Sequence, residues 1–387
     1  MFLTATNVFH YLRDTGQASE RDIVEENYGI VEIGRRNRNF KVLMPKSTSL
    51  FVKQVPMVHP ETVSSFLKEA ACAQLASESA AGSAIRSVMP TLRRYDPKAH
   101  VLVYESLDPS ETLSECMIRT GGIPPGLAGN LGRALAACHV QTARPGALAR
   151  IASALTGDFP WVLIIGQKAE MVMPNMSMGR RQVVDRIRAT PDLNQGLIDL
   201  QSRWRRLCLV HGDMKWDNVL LVGQPGDQHL RLIDWELAEL GEPLWDVASV
   251  LGSFLQFWLL NLPLHQVQGD RERALATTQV KITSIHRDIF EFWTGYCNEQ
   301  AGLFGSGIEA IVSTARLVGA RLILLAFELL PTDTTISLHA GLALDLAQYF
   351  LTQPERATQD LLGIDPRSFA SPRPEVWNRS RQTDYIQ

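Results

Sequence analysis

The residues best suited to chemistry lie close together in an otherwise apolar stretch. Leu209-Val-His-Gly-Asp-Met-Lys-Trp-Asp-Asn-Val-Leu-Leu221 reads as two apolar strands flanking a polar loop. Leu230-Arg-Leu-Ile-Asp-Trp-Glu236 reads as a third apolar strand ending in acid. His211, Asp213 and Asn218 follow the order H-x-D-x-x-x-x-N, and Asp234 arrives at the end of the next strand with Glu236 beside it. Such a set suits phosphoryl transfer, in which the protein positions a hydroxyl, holds divalent metal on phosphates and neutralises developing charge. Asp213 would face the acceptor hydroxyl. Asn218 and Asp234 would offer hard oxygen ligands to Mg²⁺, which prefers carboxylates, water and phosphate to soft donors.

The pattern resembles the catalytic and metal loops of the protein-kinase-like superfamily, in its aminoglycoside phosphotransferase and choline kinase branch, where H-G-D and I-D-W/F-E replace the protein-kinase H-R-D and D-F-G. Gly241-Glu-Pro-Leu-Trp-Asp-Val-Ala248 also resembles that branch. A lone H-x-D arises by chance, whereas both motifs in order at this spacing rarely do. The competing explanation is a buried polar hairpin whose Asp and Asn residues cap turns. The resemblance implies an α+β, two-lobed protein-kinase-like fold, with a small antiparallel β-sheet lobe carrying one main helix and a larger, mostly helical lobe carrying the catalytic hairpin. The boundaries expected are 1–105 for the nucleotide-binding lobe, 106–364 for the catalytic and acceptor-binding lobe, and 365–387 for a flexible tail rich in Pro, Arg, Ser and Gln.

Composition agrees with two such lobes. Of 387 residues 45% are hydrophobic and 20% charged, with a formal net charge of −3, so apolar material is ample. The balance shows neither a polybasic face nor an acidic tail, and nucleic acid is not an expected partner. Cys72, Cys116, Cys138, Cys208 and Cys297 are scattered, with no C-x-x-C pair, which disfavours a zinc site or disulfide framework and suits a cytoplasmic setting. Met1-Phe-Leu-Thr-Ala-Thr-Asn7 lacks the basic and apolar regions of a signal peptide. The apolar stretch from Val247 to Leu264 is interrupted by Ser249, Gly252, Ser253, Gln256, Asn261 and Pro263, which predicts a core helix and no membrane span.

The elements that must position these residues follow in order. Helices are expected around 7–13 and 20–27, then short β-type runs at 30–33, 40–43 and 49–55. Gly34-Arg-Arg-Asn-Arg-Asn39 would be the nucleotide loop implied by the resemblance, with one glycine and three arginines in place of a Gly-rich pattern; its amides can form an anion nest, or the turn is simply a solvated basic one. The resemblance also implies that Lys53 holds the α and β phosphates. Glu69, on a helix over 61–75, is its expected carboxylate partner, ahead of Glu61 and Glu78, because Phe66, Ala70 and Leu75 place it near the core-facing side. Strands at 89–95 and 100–107 follow, with a helix started by Asp108-Pro-Ser-Glu. The resemblance makes Glu105 to Leu107 the hinge whose backbone meets the adenine edge; the plainer alternative is an edge strand.

A helix over 125–142 carries His139, read as a core or capping histidine. Residues 150–207 form an insertion with Met-rich and basic content at 171–188, whose methionines could line an acceptor pocket, though helix packing is their commoner use. The resemblance assigns Lys215 to charge on the transferred phosphoryl, with a surface lysine as the alternative, and makes Asp246 a structural brace under the catalytic loop. Ile308 to Leu329 keeps a helix period over six turns. Residues 247–353 hold nine acids and six Lys or Arg, sparse for a pocket taking a polycation. Gly305-Ser-Gly-Ile-Glu-Ala310 fits a dinucleotide pattern by letters alone and reads as a turn and helix start.

The function expected is transfer of the γ-phosphoryl of ATP, with Mg²⁺, to an alcohol hydroxyl. A small-molecule acceptor, antibiotic or metabolite, is the branch's usual substrate. A Ser/Thr hydroxyl on a peptide in natural-product maturation is the rival, favoured by Lys215 and the weakly acidic large lobe. A nucleotide-binding pseudokinase scaffold is the alternative from another class.

Overall fold

The computed structural model describes residues 2–24, 28–33, 38–44, 48–55, 60–78, 82–144, 146–149, 151–224, 226–300, 302 and 307–369. The amino-terminal lobe is built on an antiparallel sheet of β1 (Gly29–Glu32), β2 (Arg38–Leu43), β3 (Leu50–Gln54), β4 (Leu92–Asp96) and β5 (Val101–Glu105), in the order β1-β2-β3-β5-β4. Side chains alternate across a strand, and β5 is apolar at both parities. Val101 and Val103 therefore join Phe40, Val42 and Val52 in one core with the helix Val8–Asp14, while Leu102 and Tyr104 join the core around the helix Pro60–Glu78. The helix Glu20–Val24 covers the beginning of the expected second helix, whose remainder at 25–27 lies outside the described residues. Arg38 and Asn39 belong to β2 rather than to a nucleotide loop, and residues 34–37 lie outside the described residues.

The helix expected at Asp108-Pro-Ser-Glu starts later. Asp108 accepts from Ser106 Oγ (2.7 Å) and pairs with Lys41, and Ser110–Thr112 forms a short strand, β6. The helix Leu113–Thr120 then begins with a reciprocal cap: Thr112 Oγ1 accepts from the Glu115 N–H (3.1 Å) and the Glu115 carboxylate accepts from the Thr112 N–H (2.7 Å). Two otherwise unpaired amides are satisfied at once, which Asp108 next to a proline cannot match.

The segment from 208 to 241 supplies β7 (Cys208–Val210), β8 (Val219–Val222), β9 (His229–Leu232) and β10 (Glu239–Gly241). β6, β8 and β9 make one antiparallel sheet, and β7 pairs with β10. The rest of the larger lobe is helical. Leu127–Thr142 packs closely on Thr283–Gln300, where a Cβ at Gly132 would lie 2.2 Å from Phe292 O. Between residues 150 and 207 the helices Ile165–Val172, Met178–Ala189 and Pro191–Ser202 form, with Met171 and Met178 exposed and Met173 and Met176 packed on the core. Gly307–Glu328 is long and apolar enough to cross a membrane, yet most of it is buried against Leu244–Leu260 and Leu338–Thr352. The five cysteines are free. Pro366–Phe369 is a short 3₁₀ turn, and the expected tail from 370 onward lies outside the described residues, as do residues 303–306.

Candidate active site

Pairing of β7 with β10, with Val210 opposite Glu239, brings together the two ends of the polar segment. Between them the chain turns sharply at Gly212. Its φ is +84°, and a Cβ there would lie 2.2 Å from Leu237 O, so only glycine fits. Beneath the turn Asp246, fully buried, accepts from the backbone N–H groups of His211 (2.7 Å) and Gly212 (2.9 Å) and from His139 Nε2 (3.2 Å). His139 is in turn fixed by the Tyr296 hydroxyl (3.0 Å), as suits a satisfied core histidine. Trp245 Nε1 donates to Gly212 O (3.0 Å). His211 spans the two loops, its Nε2 donating to Ile233 O (2.9 Å) and its Nδ1 accepting from the Asp213 N–H (3.3 Å).

This bracing presents Asp213. Asn218 Nδ2 donates to Asp213 O (2.8 Å) and Oδ2 (3.1 Å), and Lys215 Nζ lies 2.6 Å from Asp213 Oδ2. Burial alone would push the Asp213 carboxyl up; the Arg321 guanidinium, then Lys215 and His211, hold it below the usual carboxylate range. For Lys215 burial would lower the pKa, but the adjacent Asp213 carboxylate raises it. The Ile233 N–H donates to Asn218 O (3.0 Å), which sets Asp234 beside Asn218. Asp234 takes a left-handed backbone, φ +64° and ψ +56°, a conformation that Asp tolerates better than most residues.

From the other lobe, Lys53 reaches the same place. Its Nζ donates to Glu69 Oε2 (2.5 Å) and to Asp234 Oδ1 (2.7 Å) and lies 3.7 Å from Glu236 Oε2. Burial would lower its pKa, but Glu69, Asp234 and Glu236 outweigh that and hold the ammonium charged. Tyr104 OH donates to Glu69 Oε1 (3.2 Å), so the expected partner helix acid is fixed from two sides. A second tie joins the lobes behind it, Lys68 Nζ to Glu239 Oε2 at 2.7 Å.

Lys53, Glu69, Glu105, Leu107, Asn218 and Asp234 all line one cleft of about 430 Å³. Phe51, Met89, Leu220 and Ile233 supply its apolar walls. At the hinge the Glu105 N–H donates to Thr91 O (2.9 Å) and the Ser106 N–H to Ser49 O (2.8 Å). The Leu107 N–H has no acceptor among the described residues. Asn218 Oδ1 and Asp234 Oδ2 likewise have no protein partner there. Among the described residues no three His, Cys, Asp or Glu side chains form a ready metal cage. Two free hard oxygens beside an open cleft fit Mg²⁺, whose remaining positions are taken by phosphate and water.

Two site residues escaped sequence reasoning. Arg321 is only 8% exposed, and its guanidinium lies over the Trp245 ring, 5.4 Å from the centroid. Glu328, two turns further along the same helix, has its carboxyl raised by partial burial and drawn back down by the Arg321 guanidinium. The signal was available: Arg321 interrupts the run Leu317-Val-Gly-Ala and Leu322-Ile-Leu-Leu-Ala-Phe327, and a lone arginine there must have a reason to be buried.

Comparison with known proteins agrees with this geometry. The sequence model of the "Phosphotransferase enzyme family" matches residues 29–279, more than half of the chain. Among solved structures, choline kinase LicA from Streptococcus pneumoniae superposes with a TM-score of 0.51 at 15% identity, covering 89% of this chain and 99% of that one. Amicoumacin kinase hAmiN in complex with AMP-PNP, Ca²⁺ and Ami also gives 0.51, at 11% identity, over 92% and 98%. At such identities the likeness is one of fold. A curated relative, acyl-CoA dehydrogenase family member 11 of Rattus norvegicus, is 43% identical over 58 residues, 15% of this chain. The chain thus spans only 7% of that relative's length. With the family's sequence pattern extending from β1 past β10, and with a two-lobed fold around it, the chain belongs to the phosphotransferase enzyme family.

Proposed function

We propose that this protein transfers the γ-phosphoryl group of ATP to an alcohol hydroxyl of a small molecule, with Asp213 facing that hydroxyl. The observation that carries the reading is the meeting of Lys53 with Asp234 at 2.7 Å in the cleft that also holds Asn218, next to Asp213. Lys53, braced by Glu69, holds the α and β phosphates. The Leu107 N–H is the hinge donor left over for the adenine edge, while Glu105 contributes its position rather than its N–H. Magnesium, when bound by Asn218 and Asp234, supplies Lewis-acid neutralisation of phosphate charge.

In the transfer the bond from the γ phosphorus to the bridging oxygen breaks, and a bond from that phosphorus to the acceptor oxygen forms. The acceptor's proton passes to Asp213. Ionisation of Asp213, secured by Arg321 and Lys215, keeps it ready to accept. Lys215 is released from Asp213 as that charge is neutralised and offsets charge on the phosphoryl oxygens, a role best filled by a donor already in place.

A non-catalytic scaffold is less well supported, since the strand lysine and both candidate metal ligands are present and converge. A Ser/Thr hydroxyl on a peptide is the rival acceptor. The free cysteines support a reducing, cytoplasmic setting. ADP release measured with ATP, Mg²⁺, a panel of small alcohols and Ser/Thr peptides tests all three readings. Turnover with an alcohol is expected; turnover with peptides alone moves the assignment to the rival, and nucleotide binding with no turnover on any acceptor moves it to the scaffold.

A further inference from the structure

Arg321 is the most unusual charged side chain in the molecule outside the nucleotide cleft. More than nine-tenths of it is buried, yet no hydrogen bond or ion pair engages its guanidinium among the described residues. No carboxylate oxygen stands within 4.0 Å of it there. Its nitrogens are not among the sealed and unpaired polar atoms of the described residues, so they are not wholly closed off from solvent. A buried cation without a partner is costly, and the fold has gone to lengths to keep this one. Trp245, anchored to the turn through Gly212 O, holds the guanidinium over its ring, 5.4 Å from the centroid, and a cation–π contact uses none of the guanidinium's N–H donors.

The direction in which it acts is also fixed. Arg321 favours the Asp213 carboxylate without pairing with it, whereas Lys215 is already engaged with Asp213 at 2.6 Å. Glu328 lies two turns further along, about 10 Å by helix rise. Trp245 thus joins Arg321 to the turn that presents Asp213, with a guanidinium on one side and a group able to accept a proton on the other.

We propose that the acceptor carries an anionic group, a carboxylate or a phosphate, near the hydroxyl that is phosphorylated, and that Arg321 binds that group through its free guanidinium edge over Trp245. This rests on the reading of Asp213 as the residue facing the acceptor hydroxyl. A cationic or neutral alcohol would leave Arg321 buried and unpaired. An anionic one satisfies it with charge-assisted hydrogen bonds.

The test compares matched acceptors at saturating ATP and Mg²⁺: 3-hydroxybutyrate and 4-hydroxybutyrate against their amides, and glycerol 3-phosphate against glycerol, with choline as the cationic control. In the wild type, kcat/KM for at least one anion exceeds that of its neutral partner by about 10- to 100-fold, the size expected of hydrogen bonds to a charged group. Preference for hydroxycarboxylates or for glycerol 3-phosphate identifies the anion. In Arg321→Gln the ratio collapses to within about threefold, through KM for the anion, and Arg321→Lys recovers part of it. Equal or better use of the amides, glycerol or choline by the wild type overturns the inference, and that comparison needs no variant to fold. Should none of these alcohols be turned over, calorimetric titration of the same anions in the presence of ADP decides: binding weakened tenfold or more by Arg321→Gln upholds the inference, and absent or unchanged binding overturns it. ADP release that survives Asp213→Asn would instead defeat the underlying kinase reading.

Discussion

Lys53 and Asp234 stand 181 positions apart in the chain and meet at 2.7 Å. One comes from the third strand of the small lobe and the other from the end of the β8–β9 hairpin, so this contact sets the spacing of the two walls of the cleft. With Glu69 at 2.5 Å on the other side, the lysine ammonium is a fixed positive charge before any nucleotide arrives.

Lys53→Met removes that charge and leaves the buried Glu69 carboxylate without its cation, with only the Tyr104 hydroxyl donating to it. We expect kcat/KM for ATP to fall at least about 100-fold, as for loss of a preorganised charge-stabilising donor. Stability should fall by about 3–5 kcal/mol, the usual cost of orphaning one member of a buried pair. Steady-state kinetics and urea unfolding check the two effects. A variant that binds and uses ATP normally would remove Lys53 from the phosphate site.

Asp246→Ala strips three donors, the His211 and Gly212 amides and His139, of a buried acceptor. A loss of roughly 3 kcal/mol or more follows from hydrogen bonds to a charged group. Turnover should drop more than nucleotide affinity, because Asp246 supports the Asp213 turn and not the hinge. Equilibrium unfolding and ATP titration of the variant distinguish this from a plain loss of folding.

At Gly212 the obstacle is steric. An alanine Cβ would sit 2.2 Å from Leu237 O at a φ of +84°, so Gly212→Ala must displace Asp213. Misplacement by about 1 Å can cost roughly 100-fold in rate. A kcat within twofold of wild type would contradict the tight turn.

Much of this site was legible because it is local. The spacing from His211 to Asn218 and the strand leading to Asp234 fix each other through short loops, and Phe66, Ala70 and Leu75 mark the face of the helix that carries Glu69. The misplaced helix start at Asp108 was also a local matter. Thr112 and Glu115 have the spacing of a reciprocal cap, and that signal outranks an acid followed by proline. The apolar run around Arg321 marks it as buried, but its role was not legible in this way. Its contact with the Trp245 face and its influence on Asp213 depend on how the helix Gly307–Glu328 lies against Leu244–Leu260, which no periodicity specifies.

The titration of Asp213 gives a signed prediction. Lys215, Arg321 and His211 favour its carboxylate, and burial opposes it, with a net depression below the usual range. A depressed carboxyl contributes stability above its unfolded pKa of about 4 and loses it as pH falls through the lower folded value. A general base so held remains ionised through neutral pH, so the acid limb of kcat/KM lies below about pH 4. Arg321→Gln removes a favourable cation, leaving Lys215 opposed by burial, and the limb moves to higher pH. A pH profile with an acid limb near neutrality in the wild type would be inconsistent with this arrangement.

The central claim is that Asp213 faces the hydroxyl that accepts the phosphoryl group. Its most direct test is ADP release by Asp213→Asn in the presence of an acceptor that the wild type uses, alongside nucleotide affinity. We expect acceptor-dependent turnover to fall by at least about 1,000-fold, in the range of lost general-base catalysis, with ATP binding within a few-fold of wild type. Turnover equal to that of the wild type would contradict the account.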